Sequence, residues 1–111
     1  MITISSDVIR GCNDTIILSI LEKNSTYAYD ISKQIRAISG EKYIIKETTL
    51  YSALNRMEKN GFVTSFDRIA ENGKKRTYYQ ITPMGSSYYT SKCQEWNLTR
   101  NVIELFIGTP D

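Results

Sequence analysis

Glu47-Thr48-Thr49-Leu50-Tyr51-Ser52-Ala53-Leu54-Asn55-Arg56-Met57-Glu58-Lys59-Asn60-Gly61, followed closely by the run Phe62 to Ile69, the pair Asn72-Gly73 and the run Lys75 to Thr82, decides the fold. In the first part Leu50, Ala53, Leu54 and Met57 recur at helical spacing, and Gly61 stands where a left-handed residue would end the helix, so a helix is expected over about Glu47 to Asn60. The two later runs are rich in aromatic and β-branched residues, and Asn72-Gly73 favours the positive φ angles of a tight hairpin. In the second run Thr77, Tyr79 and Ile81 share one face while Arg76, Tyr78 and Gln80 share the other, as in a half-buried ribbon.

Upstream, Asp7 is a plausible N-cap for a first helix over about Val8 to Lys23, where Ile9, Cys12, Ile16, Ile17, Ile20 and Leu21 form a broad apolar stripe. Asn24-Ser25-Thr26 reads as a loop, because each side-chain oxygen competes with helical hydrogen bonding. A second helix carries Ala28, Ile31, Ile35 and Ile38 on one face and ends at Gly40, and Glu41 to Ile45 connects it to the third. Downstream, Thr82-Pro83 starts a last helix reaching about Ile107, since threonine caps well and proline is tolerated at the first helical position. At 1.5 Å per residue it would span roughly 36 Å, more than a small three-helix body needs for its own closure.

Composition narrows the function classes. A chain of 111 residues suits one domain, and two cysteines without any histidine exclude Ser-His and Cys-His nucleophile pairs and are too few for a zinc site. With no phosphate-cradling glycine loop either, no catalytic residue, cofactor or metal ligand is assigned, and an enzyme is not expected. No apolar run approaches the roughly 18 to 20 residues of a membrane span, and Met1 to Arg10 lacks a signal-peptide pattern, so a cytoplasmic protein without membrane contact is expected. The net charge of +2 is small, but between Lys42 and Arg76 eight basic residues (Lys42, Lys46, Arg56, Lys59, Arg68, Lys74, Lys75, Arg76) meet four acidic ones (Glu47, Glu58, Asp67, Glu71).

Three helices followed by a hairpin form the order of a winged helix-turn-helix, so the expected fold is mainly α with a two-stranded β-wing, extended by a long C-terminal dimerisation helix. The expected division is residues 1–82 for the DNA-binding unit and 83–111 for the dimerisation helix, packed on the first helix. Opposite its apolar stripe the third helix presents Thr48, Ser52, Asn55 and Lys59, with Tyr51 and Arg56 at the margins. Asn bonds adenine through two atoms, Ser and Thr donate or accept, and amides at Thr48 and Thr49 favour a phosphate. With Lys46 before that helix and Lys74, Lys75 and Arg76 at the wing, the candidate partner is double-stranded DNA. The alternative is a winged-helix protein-interaction module without DNA binding, in which the same polar face is only solvated or meets another protein.

The chain resembles the PadR-type transcriptional regulators. The resemblance is carried by Tyr27-Ala28-Tyr29-Asp30-Ile31, by Thr49-Leu50-Tyr51-Ser52-Ala53-Leu54 with Arg56 and Glu58-Lys59-Asn60-Gly61, and by Gly73-Lys74-Lys75-Arg76-Thr77-Tyr78-Tyr79-Gln80-Ile81-Thr82-Pro83-Met84-Gly85. It extends from about Val8 to Ile107, and the short C-terminal helix is similar to the small branch that includes the lactococcal multidrug-responsive repressor. It implies a homodimeric repressor whose third helix enters the major groove, whose wing contacts the backbone, and whose first and last helices build the dimer and an effector pocket. One departure is Lys46-Glu47, where the family commonly has Ser-Pro, so the side-chain cap of the reading helix is lost.

The last helix has Gly85, Tyr89, Cys93, Trp96, Arg100, Ile103 and Ile107 along one side and Leu98, Val102 and Leu105 on the other. A helix apolar on two sides is expected to be covered on both, by its own first helix and by a second subunit. Trp96 is either an interface anchor or, as the resemblance suggests, one wall of a pocket for a small aromatic effector. Cys12, Thr15, Ser19 and Cys93 would then be its neighbours, and Arg100, one turn on, would make the pocket cationic if it points inward.

Overall fold

The computed structural model describes residues 4–108. The outer ends of the two expected units, residues 1–3 and 109–111, lie outside them. Helix α1 (Ser6–Ile9), a 3-10 turn (Arg10–Cys12) and helix α2 (Asn13–Lys23) replace the single first helix expected from the periodicity. The cap is Ser5, whose hydroxyl accepts from the Val8 amide, rather than Asp7, whose carboxylate pairs with Arg10. The apolar spacing is continuous through Cys12, but Gly11 inside the 3-10 turn lowers helix propensity and no side-chain bond caps that turn. From Asn13 onward the stripe is buried as expected, with Leu18 added to Ile17, Ile20 and Leu21.

Asn24-Ser25-Thr26 is not loop throughout. Thr26–Tyr27 forms a short strand, β1, which pairs antiparallel with the hairpin and makes the wing a three-stranded sheet. Its order is β1, β3 (Lys75–Ile81), β2 (Val63–Ile69), with Thr26 opposite Tyr79 and Tyr27 opposite Tyr78. Helix α3 (Ala28–Ile38) buries Ala28, Ile31 and Ile35, whereas Ile38 in its last turn is exposed because the core ends one turn earlier. Helix α4 (Glu47–Lys59) buries Leu50, Ala53, Leu54 and Met57, the stripe expected of it, and both Gly40 and Gly61 take positive φ after their helices.

The hairpin loop is tighter on one side than Asn72-Gly73 suggests. Gly73 donates to Ala70 O and has φ +82°, and the Asn72 side chain accepts from the Lys74 amide, so Gly73 alone supplies the left-handed step. The base of the wing is held by Thr82. Its hydroxyl donates to Gly61 O at 2.7 Å and accepts from Gly85 N at 2.9 Å, joining the end of α4 to the start of helix α5 (Pro83–Ile107). Gly85 is buried there because a Cβ would overlap the Phe62 carbonyl oxygen.

One core serves all these elements: Ile17, Leu18, Ile31, Leu50, Leu54, Met57 and Val63 are fully buried between α2, α3, α4 and the sheet. The first half of α5 packs on α2, and its Tyr88 and Tyr89 touch the core. The second half projects, giving extents of 53 × 33 × 21 Å and a radius of gyration of 15.5 Å, against about 13 Å for a compact globule of this length.

Candidate nucleic-acid interface

Helix α4 displays its polar face because its other face is the centre of the core. Thr48, Ser52, Asn55 and Lys59 are exposed along it, Tyr51 is 42 % exposed at its edge, and Thr49 is half-buried. Lys46 occupies the N-cap without any side-chain cap bond, so the Lys46-Glu47 departure has a structural consequence. The first intrahelical bond runs from Leu50 N to Lys46 O, which leaves the amides of Glu47, Thr48 and Thr49 open at the positive end of the helix.

Arg56, at the margin of that face, turns inward. Its guanidinium forms a two-pronged ion pair with Asp14 of α2, at 2.8 and 2.6 Å, and the Tyr88 hydroxyl of α5 donates to the same carboxylate at 2.9 Å. Tyr88 is in turn stacked on Phe62, with ring centroids 4.1 Å apart. Burial works to raise the Asp14 carboxyl pKa, but the bonds from Arg56 and Tyr88 and the nearby charges of Arg56 and Lys92 outweigh it and hold the pKa below 3.8. Tyr88 is pushed up, first by burial and then by its bond to that carboxylate. This junction of α2, α4 and α5 escaped the sequence reading, although a carboxylate inside the apolar register of the first helix was its available signal.

Lys75 and Arg76 of the basic triplet point to opposite faces of the strand, as successive strand residues do, although both border one groove beside the wing. Lys75 lies on the α4 side and pairs with Asp67 at 3.2 Å; Lys75 and Thr77 hold that carboxyl below its ordinary value. Arg76 lies on the outer face, where its guanidinium stands 4.5 Å from the centre of the Tyr27 ring. Tyr78, between Tyr27 and Phe66, continues this outer cluster, and Arg68 stands over its ring at 5.3 Å. Lys74, next to the turn, is exposed. A groove of about 310 Å³ runs between wing and helices, with Tyr29, Tyr51, Lys75, Arg76 and Thr77 on its walls.

Residues 17–91 match the transcriptional regulator PadR-like family. The chain belongs to that family. This PadR-like regulator is similar to a transcriptional regulator from Clostridium thermocellum, at 56% identity and a TM-score of 0.88 over 95% of this chain and 99% of the other. A PadR family transcription regulator from Clostridium difficile matches at 36% identity and a TM-score of 0.76, over 87% of this chain and 99% of that one. An uncharacterised protein of Lysinibacillus sphaericus is 36% identical over 94% of this chain and 95% of its own length. The winged helix expected from the sequence, with its long last helix, is therefore the fold of a DNA-binding transcriptional regulator. No helix among the described residues is long and apolar enough to cross a membrane.

The residues weighed for an effector are less closely grouped. Within one chain of this PadR-like regulator, Trp96, Arg100, Ile103 and Ile107 line a shallow groove of about 270 Å³ on α5, and Arg100 lies over the Trp96 ring at 5.3 Å. Cys12, Thr15, Ser19 and Cys93 are half-buried and do not line it. Ser19 bonds its own helix at Ile16 O. Of the six, a single chain brings only Trp96 and Arg100 together at this groove.

Proposed function

We propose that this regulator is a homodimeric repressor that binds an inverted-repeat operator through two copies of α4 and is released by a small aromatic effector. The observation that carries the DNA-reading half is the exposed row Thr48, Ser52, Asn55 and Lys59 on a helix whose opposite face is anchored in the core, with Lys75 on the same side. Asn55, Ser52, Thr48 and Tyr51 select bases, while Lys46, Thr49, Lys59, Lys74, Lys75 and Arg76 engage the backbone and supply salt-dependent affinity. Residues 1–82 thus read DNA, and residues 83–111 assemble the dimer.

The dimer is supported by the projecting half of α5, where Leu98, Leu105, Phe106 and Ile107 are each more than half exposed. Apolar side chains exposed on both sides of one projecting helix are stabilised by burial against another chain, and a two-fold partner would set the two reading helices for a palindrome. The effector would then meet Trp96 where the paired α5 helices close its groove, with Cys12, Thr15, Ser19 and Cys93 contributed around it.

Shift assays on the upstream region at several salt concentrations test the function. Asn55→Ala should narrow the gap between operator and random DNA, and Lys75→Ala should weaken both by a similar factor. A salt-insensitive or absent shift would instead favour the protein-interaction module. Equal losses on operator and random DNA from both substitutions would remove Asn55 from the reading set. For the effector, planar ligands are titrated against Trp96 fluorescence, and Arg100 predicts tighter binding of phenolic acids than of planar cations.

A further inference from the structure

The three-stranded sheet has an inner face marked by Ser65, which bonds Glu58 of α4, and an outer face on which two arginines stand opposed. Arg68 of β2 and Arg76 of β3 are direct partners in the antiparallel register, so both side chains rise from the same face. Like charges at opposed positions repel, and neither arginine pairs with a carboxylate among the described residues. The acids beside them are engaged elsewhere or stand apart. Asp67, between Phe66 and Arg68, points to the inner face and pairs with Lys75, and Asp30 accepts from Thr26 and Gln34, each at 2.7 Å. Glu71 is exposed in the hairpin turn.

Rings support the arginines instead. Arg76 stands 4.5 Å from the centre of the Tyr27 ring, and Arg68 5.3 Å from that of Tyr78. Tyr78 joins the cluster, with its ring centre 5.4 Å from that of Tyr27 and 5.7 Å from that of Phe66. Phe66, its cross-strand partner, remains 41 % exposed. Toward the base of the wing the face continues as the neutral pair Thr64 and Gln80. A guanidinium resting on a ring is ordered before any partner arrives and keeps its fork of N–H donors for an oxyanion. Two such forks beside an exposed ring, on a face without a carboxylate, complement an anion that also brings apolar surface.

We infer that this sheet face docks an acidic segment of another protein: carboxylates bridge Arg68 and Arg76, and an apolar side chain next to them covers Phe66. Nucleic acid is the competing anion. The rings count against it, because the guanidiniums already stand over Tyr27 and Tyr78, on which bases would stack, leaving Phe66 alone. Arg76 is shared with the residues proposed for the DNA backbone, whereas Arg68 and Phe66 are not. The inference therefore does not rest on the function proposed above.

The full ¹⁵N-labelled chain, without DNA, is titrated with three probes: a short peptide in which glutamates flank a phenylalanine, the same peptide with glutamine for glutamate, and single-stranded oligothymidine. Saturable shifts of the Arg68 and Arg76 Nε–H signals and of the Phe66 and Tyr78 amides are expected with the acidic peptide alone. Arg68→Glu sets an opposite charge across from Arg76, so it should weaken the acidic peptide by about tenfold or more without lowering Tm. Arg68→Gln removes the charge and adds none; it should weaken the peptide by about fivefold, and it decides the matter if Arg68→Glu lowers Tm. No shift at these four residues, equal binding of the glutamine peptide, or unchanged affinity in both variants overturns the inference. Stronger shifts with oligothymidine than with the acidic peptide overturn it as well, in favour of single-stranded nucleic acid. A failure of the regulator to bind duplex DNA would sink the DNA-reading proposal and leave this titration untouched.

Discussion

Removing Asp14 is the most informative perturbation of this fold, because one carboxylate on α2 ties α4 and α5 to that helix. The Asp14 side chain is 13 % exposed and that of Arg56 is 52 % exposed, so the pair lies between a solvated ion pair and a buried one. Exposed pairs contribute about 0–1 kcal/mol, and breaking a fully buried one costs about 3–5 kcal/mol. With two short bonds from Arg56 and one from Tyr88, Asp14→Ala should lower unfolding free energy by about 2 kcal/mol. Arg56→Ala should cost nearly as much, since it leaves a largely buried carboxylate with Tyr88 as its remaining hydrogen-bond donor. The double variant should then recover about 1–2 kcal/mol relative to the sum of the single losses. Urea unfolding at fixed protomer concentration reads all three. The sign with pH follows from the depressed Asp14 pKa: its contribution is full above the ordinary carboxylate value of 3.8 and is lost as pH falls through the lower folded value. The gap between wild type and Asp14→Asn should therefore be flat from about pH 5 to 8 and close in stronger acid. Additive single losses, or a gap that closes between pH 6 and 8, would refute this account of the junction.

Three further outcomes are expected. Gly85→Ala should destabilise by about 3 kcal/mol in thermal unfolding, since the new methyl overlaps Phe62 O and would stand 2.8 Å from Ile81 Cγ1; an unchanged Tm would contradict the close approach. Leu105→Glu combined with Phe106→Glu should weaken the proposed dimer by at least about 100-fold in light scattering while leaving the helical signal of the protomer intact. Arg76→Ala should lose about 0.5–1 kcal/mol of stability with the Tyr27 stack, a cost that Lys75→Ala should not share, so equal stabilities for the two variants would count against the split wing.

Local signals made much of this legible from residues alone. Helices α3 and α4 each bury a face whose period is written in Ala28, Ile31 and Ile35 and in Leu50, Ala53, Leu54 and Met57, whereas of the face expected in the hairpin Tyr79 is buried, Ile81 half-buried and Thr77 exposed. Thr82-Pro83 capped α5 as expected, and the family resemblance rested on the same segments. Reading the first helix as unbroken failed because apolar spacing is insensitive to a single 3-10 turn. Thr26–Tyr27 was missed as a strand because two residues carry no period.

What the sequence determined by itself is the set of elements whose stability is periodic and local: helix α4, its apolar anchor and the hairpin beside it. What only the tertiary structure decided is how side chains from distant segments meet. Arg56 turns from the polar face of α4 to Asp14, 42 residues away, Arg76 leaves its lysine neighbours to lie on Tyr27, and Asn13 borders a cavity at the start of α4. Each of these depends on the packing angle between elements and on which partner removes a charge or an amide from water, quantities that no spacing along the chain encodes.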